Sequence, residues 1–110
     1  MKNVRRPATD PLSTVVRRLV QSLSPERIYL FGSRARGEAA EDSDYDLLVV
    51  VAQSREPRYV RAQAAYRALA GVGVPVDVLA LTREEFEQEL PVPASLPATV
   101  AREGRLLYAA

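Results

Sequence analysis

The chain has 110 residues, 47% hydrophobic and 26% charged, with 15 basic against 14 acidic side chains and a net charge of +1. That length suits one compact domain with one modest core, and the charge balance offers no polybasic handle for nucleic acid or membrane. The absence of cysteine and histidine excludes disulfides, thiolate chemistry, imidazole acid–base catalysis and zinc sites built on those ligands. Any chemistry must run on carboxylates, hydroxyls, lysine or arginine. A bound metal would take oxygen ligands, which points to magnesium or manganese.

Residues 1–9 are expected to form a flexible N-terminal tail and 10–110 a single domain. No apolar run reaches the length of a membrane span, so the expected location is the cytoplasm. Asp10-Pro11 is a helix start, a capping residue followed by proline in the first turn. Leu12, Val15, Val16, Leu19, Val20 and Leu23 then recur at helical spacing, and Ser24-Pro25 ends the run. RIYLF at 27–31 predicts a strand closed by Gly32, and YDLLVVV at 45–51 predicts a second. The second strand is too apolar for a wet face and should be central. Residues 57–70 predict a helix, Gly71 to Gly73 a turn, and VPVDVLAL at 74–81 a third strand. Pro75 assigns that strand an edge or a start without a required ladder bond.

Thr82-Arg83-Glu84-Glu85 is a capping-box pattern for a helix to about Leu90. Pro91, Pro93 and Pro97 predict an extended stretch, followed by a helical turn or two over 98–103 and a short strand at 105–108. The expected fold is α/β (α+β): a small mixed sheet with helices packed mainly on one face.

The chemistry concentrates in GSRARGEAAEDSDYD, residues 32–46, where Glu38, Glu41, Asp42, Asp44 and Asp46 crowd before an apolar strand. Gly32-Ser33 allows an ordinary strand-to-helix turn, or a tight turn whose amides and hydroxyl meet a phosphate. Asp44 and Asp46 fall on one face of the predicted strand, roughly 6–7 Å apart along the backbone, while Tyr45 points to the other. They are either solvated turn acids or a pair able to hold a divalent ion. Asp77 lies between valines inside the third strand, where a lone carboxylate is costly. It either faces water as an edge-strand charge or joins Asp44 and Asp46 across the sheet.

Gly32-Ser33, Arg36-Gly37 and Ser43-Asp44-Tyr45-Asp46-Leu47, with a later acid in Val76-Asp77-Val78-Leu79, resemble the signature of nucleotidyltransferases related to DNA polymerase beta. The sequence is more closely similar to the minimal nucleotidyltransferases (MNT) of bacteria and archaea. Glu103-Gly104-Arg105-Leu106-Leu107-Tyr108 resembles their closing segment.

The resemblance implies that Asp44, Asp46 and Asp77 are catalytic and hold magnesium or manganese. It implies that Gly32 and Ser33 contact the phosphates of ATP, with Arg36 as a further phosphate contact. It also implies an antitoxin role, in which AMP passes to a tyrosine hydroxyl of a helical HEPN-type toxin. A silent antitoxin acting by contact and a transferase for a small-molecule acceptor are the alternatives. Arg34 is expected in solvent or against the acceptor. The arginine-bearing helix at 57–70 and the proline-rich segment at 91–97 are candidate docking surfaces, in a homo- or hetero-oligomer.

Overall fold

A computed structural model of the protein describes residues 11–40 and 43–110. The expected tail at 1–9, the Asp10 cap, and Glu41 and Asp42 of the acidic turn lie outside the described residues. Helix α1 (Pro11–Leu23) leads to strand β1 (Arg27–Phe31), a single helical turn α2 (Ser33–Arg36) and strand β2 (Tyr45–Val51). Helix α3 (Arg58–Ala68) crosses to strand β3 (Val76–Thr82). Helices α4 (Arg83–Glu89) and α5 (Leu96–Glu103) and strand β4 (Arg105–Ala109) complete the chain.

The strands form one mixed sheet in the order β3-β2-β1-β4. β2 runs antiparallel to β1 and parallel to β3, and β1 runs antiparallel to β4. β2 is central, as its sequence requires, with Leu47, Leu48, Val49 and Val50 all fully buried. Alternation sends Leu47 and Val49 to one face and Leu48 and Val50 to the other, so both faces must be covered.

On the first face, Val15 and Leu19 of α1 and Ala65 of α3 close over Ile28, Leu30, Leu47, Val49, Val78 and Ala80. This face takes the two longer helices. On the second face, Phe86 of α4 and Val100 of α5 close over Leu48, Val50 and Leu81. The two short helices thus cover only part of that face. Asp46 and Asp77 lie along the same face by strand alternation, beyond this cover.

The capping box forms as read: Thr82 Oγ1 accepts from the Glu85 amide at 3.1 Å, and Glu85 Oε1 accepts from the Thr82 amide at 2.9 Å. β3 occupies an edge and begins just after Pro75, which agrees with the missing N–H of proline.

The segment after α4 departs from expectation. Helix α5 starts at Leu96, and Pro97 lies in its first turn rather than in an extended stretch. Ser95 caps this helix, its Oγ accepting from the Ala98 amide at 3.2 Å. Proline is tolerated there because the first-turn amides have no helical acceptor.

Candidate active site

Gly32 ends β1 with φ 77° and ψ −160°, a conformation that L side chains rarely adopt. It turns the chain into α2, and Gly37 closes that turn in the left-handed region. Gly32 also lies against the next strand. A Cβ built on it would stand 2.3 Å from Asp46 Oδ2, so no other residue fits without displacing that carboxylate. The glycine predicted from the Gly-Ser step is thus required twice, by its φ and by the acid it touches.

The register aligns the acids. Phe31 pairs with Asp46 on β1–β2, and Asp46 pairs with Asp77 on β2–β3. Neighbouring strands lie roughly 4.8 Å apart, so Asp46 and Asp77 are lateral neighbours on one face. Asp46 is half-buried and Asp77 exposed. Asp44 is exposed and stands two residues before Asp46, ahead of β2. Tyr45 packs toward the opposite face, as alternation predicts.

Burial raises the pKa of Asp46, and the charges of Asp77 and Asp44 raise it further, against a smaller opposing effect of Arg36. Both acids are therefore within electrostatic reach of Asp46. Among the described residues, however, no three acidic side chains converge as a ready metal-holding group. The donor chemistry still fits a hard divalent cation: the donors are carboxylate oxygens, and their mutual repulsion is poorly compensated. Asp44, Asp46 and Asp77 are the residues that would hold such an ion.

Arg36 is exposed and donates through Nε to Glu38 Oε1 at 2.8 Å, with Nη1 at 3.6 Å from Glu103. It stands beside the acids but is already engaged by carboxylates. Ser33 opens α2, directly after the N-cap Gly32.

Arg34 differs from expectation. It is half-buried, donates from Nε and Nη2 to the Ser43 carbonyl at 3.0 and 2.9 Å, and lies over the Tyr45 ring at 4.1 Å. A guanidinium can bond through its edge while stacking through its face. Arg34 therefore fastens the segment that carries Asp44 into β2, rather than standing in solvent.

Tyr66 of α3 was not singled out by the sequence. Its hydroxyl donates to Asp77 Oδ1 at 3.3 Å and accepts from the Val78 amide at 3.1 Å. Only the packing of α3 across the β3 edge brings it there; no motif spacing announces it.

An apolar cavity of about 630 Å³ lies elsewhere, between α1 and β4, lined in part by Leu12, Val16, Val20 and Leu107. The described residues lining it carry no carboxylate, so the acid end of the sheet is the better candidate for chemistry.

The fold is a small mixed α/β sheet with acids gathered beside a glycine turn, and comparison with known proteins identifies its family. The family model described as a nucleotidyltransferase domain matches residues 12–107, and the chain belongs to that family. No curated protein matches the sequence.

Among solved structures, a proposed nucleotidyltransferase from Sulfolobus solfataricus aligns with TM-score 0.57 and 22% identity, over 90% of this chain and 86% of its own. A toxin–antitoxin structure with AMP-PNP aligns with TM-score 0.59 and 22% identity, over 88% of this chain and 72% of its own. A double aspartate-to-glutamate variant of the MntA–HpeT toxin–antitoxin aligns with TM-score 0.61 and 17% identity, over 92% of this chain and 74% of its own. At these identities the likeness is one of fold.

Proposed function

We propose that this nucleotidyltransferase acts as an antitoxin, passing AMP from ATP to a tyrosine hydroxyl of a HEPN-type partner protein. The observation that carries the reading is the lateral pair Asp46–Asp77, with the Gly32 backbone packed against the Asp46 carboxylate. The toxin–antitoxin neighbours, one of them with AMP-PNP, support the antitoxin setting and the adenine nucleotide.

In this reading Asp44, Asp46 and Asp77 would hold magnesium or manganese, and the ion would supply charge stabilisation for the triphosphate. Gly32 allows the backbone to approach the phosphates closely, and Ser33 offers them a hydroxyl. Arg36 contributes positive charge at the same end after exchanging Glu38 for phosphate. Asp77 orients the acceptor hydroxyl and takes its proton. The hydroxyl oxygen bonds to the α-phosphorus, the bond to the bridging oxygen breaks, and pyrophosphate leaves with that electron pair.

Docking is assigned to α3 and to residues 91–97, where Tyr59 and Val92 stand exposed. The α3 arginines contribute unequally, because Arg61 is buried and Arg58 is paired with Glu89 at 2.7 Å.

The lack of three converging acids among the described residues favours one second reading, an antitoxin that silences its partner by contact alone. One experiment separates them. The protein is incubated with α-labelled ATP, magnesium and the protein encoded beside it. Label on a partner tyrosine, lost in an Asp44→Asn/Asp46→Asn double variant that still folds, is the expected outcome. A stable complex without label transfer, under varied metals and triphosphates, selects the contact-only reading. Label on a small molecule keeps the chemistry and rejects the acceptor.

A further inference from the structure

We infer that Tyr66 is a positioning residue for Asp77, holding one carboxylate oxygen so that the other is presented to the ligand. The inference rests on the transfer reading above. Asp77 is exposed on an edge strand, where an aspartate side chain is otherwise free to rotate about two torsions. Its hydrogen-bond partner among the described residues is the Tyr66 hydroxyl, at 3.3 Å from Oδ1.

That hydroxyl is itself fixed. It accepts from the Val78 amide at 3.1 Å, and this amide points outward from the β3 edge, away from β2. A hydroxyl has one proton and two lone pairs. With a lone pair taken by Val78 N–H, its proton is left for Asp77. The backbone of β3 thus orients Tyr66, and Tyr66 orients the acid one residue earlier on the same strand.

Structural service alone explains this arrangement less well. Tyr66 is 45% exposed and lies outside both core clusters. An outward edge amide can be satisfied by water at no loss. The bond to Asp77 is longer than the usual 2.5–3.0 Å for O–H···O, as hydrogen bonds at catalytic groups often are before ligand binds. It is a bond poised to tighten when Asp77 is drawn toward a ligand.

Tyr66→Phe removes the hydroxyl and keeps the ring. Its effect is read first without turnover, as Mn²⁺ affinity by electron paramagnetic resonance in the presence of a non-hydrolysable ATP analogue. A loss of about tenfold is expected, the usual scale for removing a group that orients a metal ligand. The transfer assay should show a lower kcat with KM for ATP nearly unchanged, and the Val78 amide should exchange faster with deuterium. In an Asp77→Asn background, Tyr66→Phe should cost nothing further.

Unchanged Mn²⁺ affinity in Tyr66→Phe, alongside a clear loss in Asp77→Asn, overturns the inference and leaves the transfer reading standing. Multiplying effects of the two substitutions, or a loss that merely follows a fall in Tm, also overturn it. If Asp77→Asn and the Asp44→Asn/Asp46→Asn variant both leave Mn²⁺ and nucleotide affinity untouched, the metal-dependent reading fails and this inference with it.

Discussion

The two ends of the parallel strand pair β2–β3 treat carboxylates in opposite ways. At the C-terminal end, acids are matched. Glu85 accepts from Arg61 Nη2 at 2.6 Å and from the Thr82 amide at 2.9 Å, with Arg58 at 3.6 Å. Glu26 is bonded by Arg83 through both guanidinium edge nitrogens, one at 2.9 Å. Burial works to raise the pKa of Glu85, but the Thr82 amide, Arg61 and Arg58 outweigh it and hold the value down. At the N-terminal end the balance reverses, and burial together with Asp77 and Asp44 pushes Asp46 up. Arg36, the arginine that opposes this shift, is engaged with Glu38 and Glu103. One end uses its acids to hold the fold. The other carries acids whose charge the fold leaves largely unanswered, and such sites are where pKa shifts tend to signal function.

The largest effect on stability should come from the matched end. Arg61 is buried, and besides Glu85 it donates to the carbonyls of Ala80 at 3.0 Å and Glu56 at 2.7 Å. Arg61→Met strands these acceptors and leaves Glu85 a weaker partner. A loss of about 3 kcal/mol is expected in urea unfolding, the scale of breaking a largely buried pair. Nucleotide binding by the folded fraction should be unchanged. If Arg61→Met were nearly neutral for stability yet abolished binding, the division between the two ends would be lost.

Gly32→Ala sharpens the comparison from the other side. It forces a side chain into a left-handed φ of 77° and into Asp46 Oδ2. A smaller stability cost is expected, about 2 kcal/mol from backbone strain. The rate of nucleotidyl transfer should fall by about a hundredfold, because small misplacements of catalytic groups are costly. Equal losses in stability and none in rate would show that Gly32 only serves the turn.

These two positions also mark what the sequence made legible. Gly32 was readable because a glycine directly after an apolar strand signals a turn, and strand periodicity put Asp44 and Asp46 on one face but left open whether Asp77 faced water or joined them, which the β2–β3 register decides. β1 and β2 fall at the residues expected, since their apolar runs end abruptly at Gly32 and at the acidic turn. Arg61 was not readable. An arginine on a helix counts as polar surface by pattern, and its burial depends on acceptors at Glu56, Ala80 and Glu85, two of them from later segments of the chain. Tyr66 was hidden for the same reason, since its partners belong to another element. Arg34 likewise depends on a loop carbonyl, which no side-chain pattern records. Pro97 misled because proline signals both an extended chain and a helix first turn, and only the Ser95 cap decides.

The smallest expected effect tests the comparison most directly. In the metal-free protein the folded-state pKa of Asp46 is raised above 3.8. Between 3.8 and the raised value, the folded state binds more protons at this site than the unfolded state does. Stability therefore falls as pH rises through that window, and the penalty stays in place at neutral pH. Glu85 has the opposite sign: its folded pKa is lowered from 4.5, so its contribution is present above 4.5 and is lost as pH falls through the lowered value. Asp46→Asn removes a charge that the fold disfavours. It should raise Tm modestly at pH 7 without metal, and the advantage should shrink as the buffer is acidified toward 3.8. Adding magnesium with a non-hydrolysable ATP analogue should invert the order, because ligand that binds only the folded state stabilises wild type and not the variant. Calorimetric melts across pH, with and without that ligand, make the measurement. An Asp46→Asn protein less stable than wild type at neutral pH without metal would mean that Asp46 is held by the fold as Glu85 is. The acid end of the sheet would then be a second structural end rather than a site reserved for a ligand.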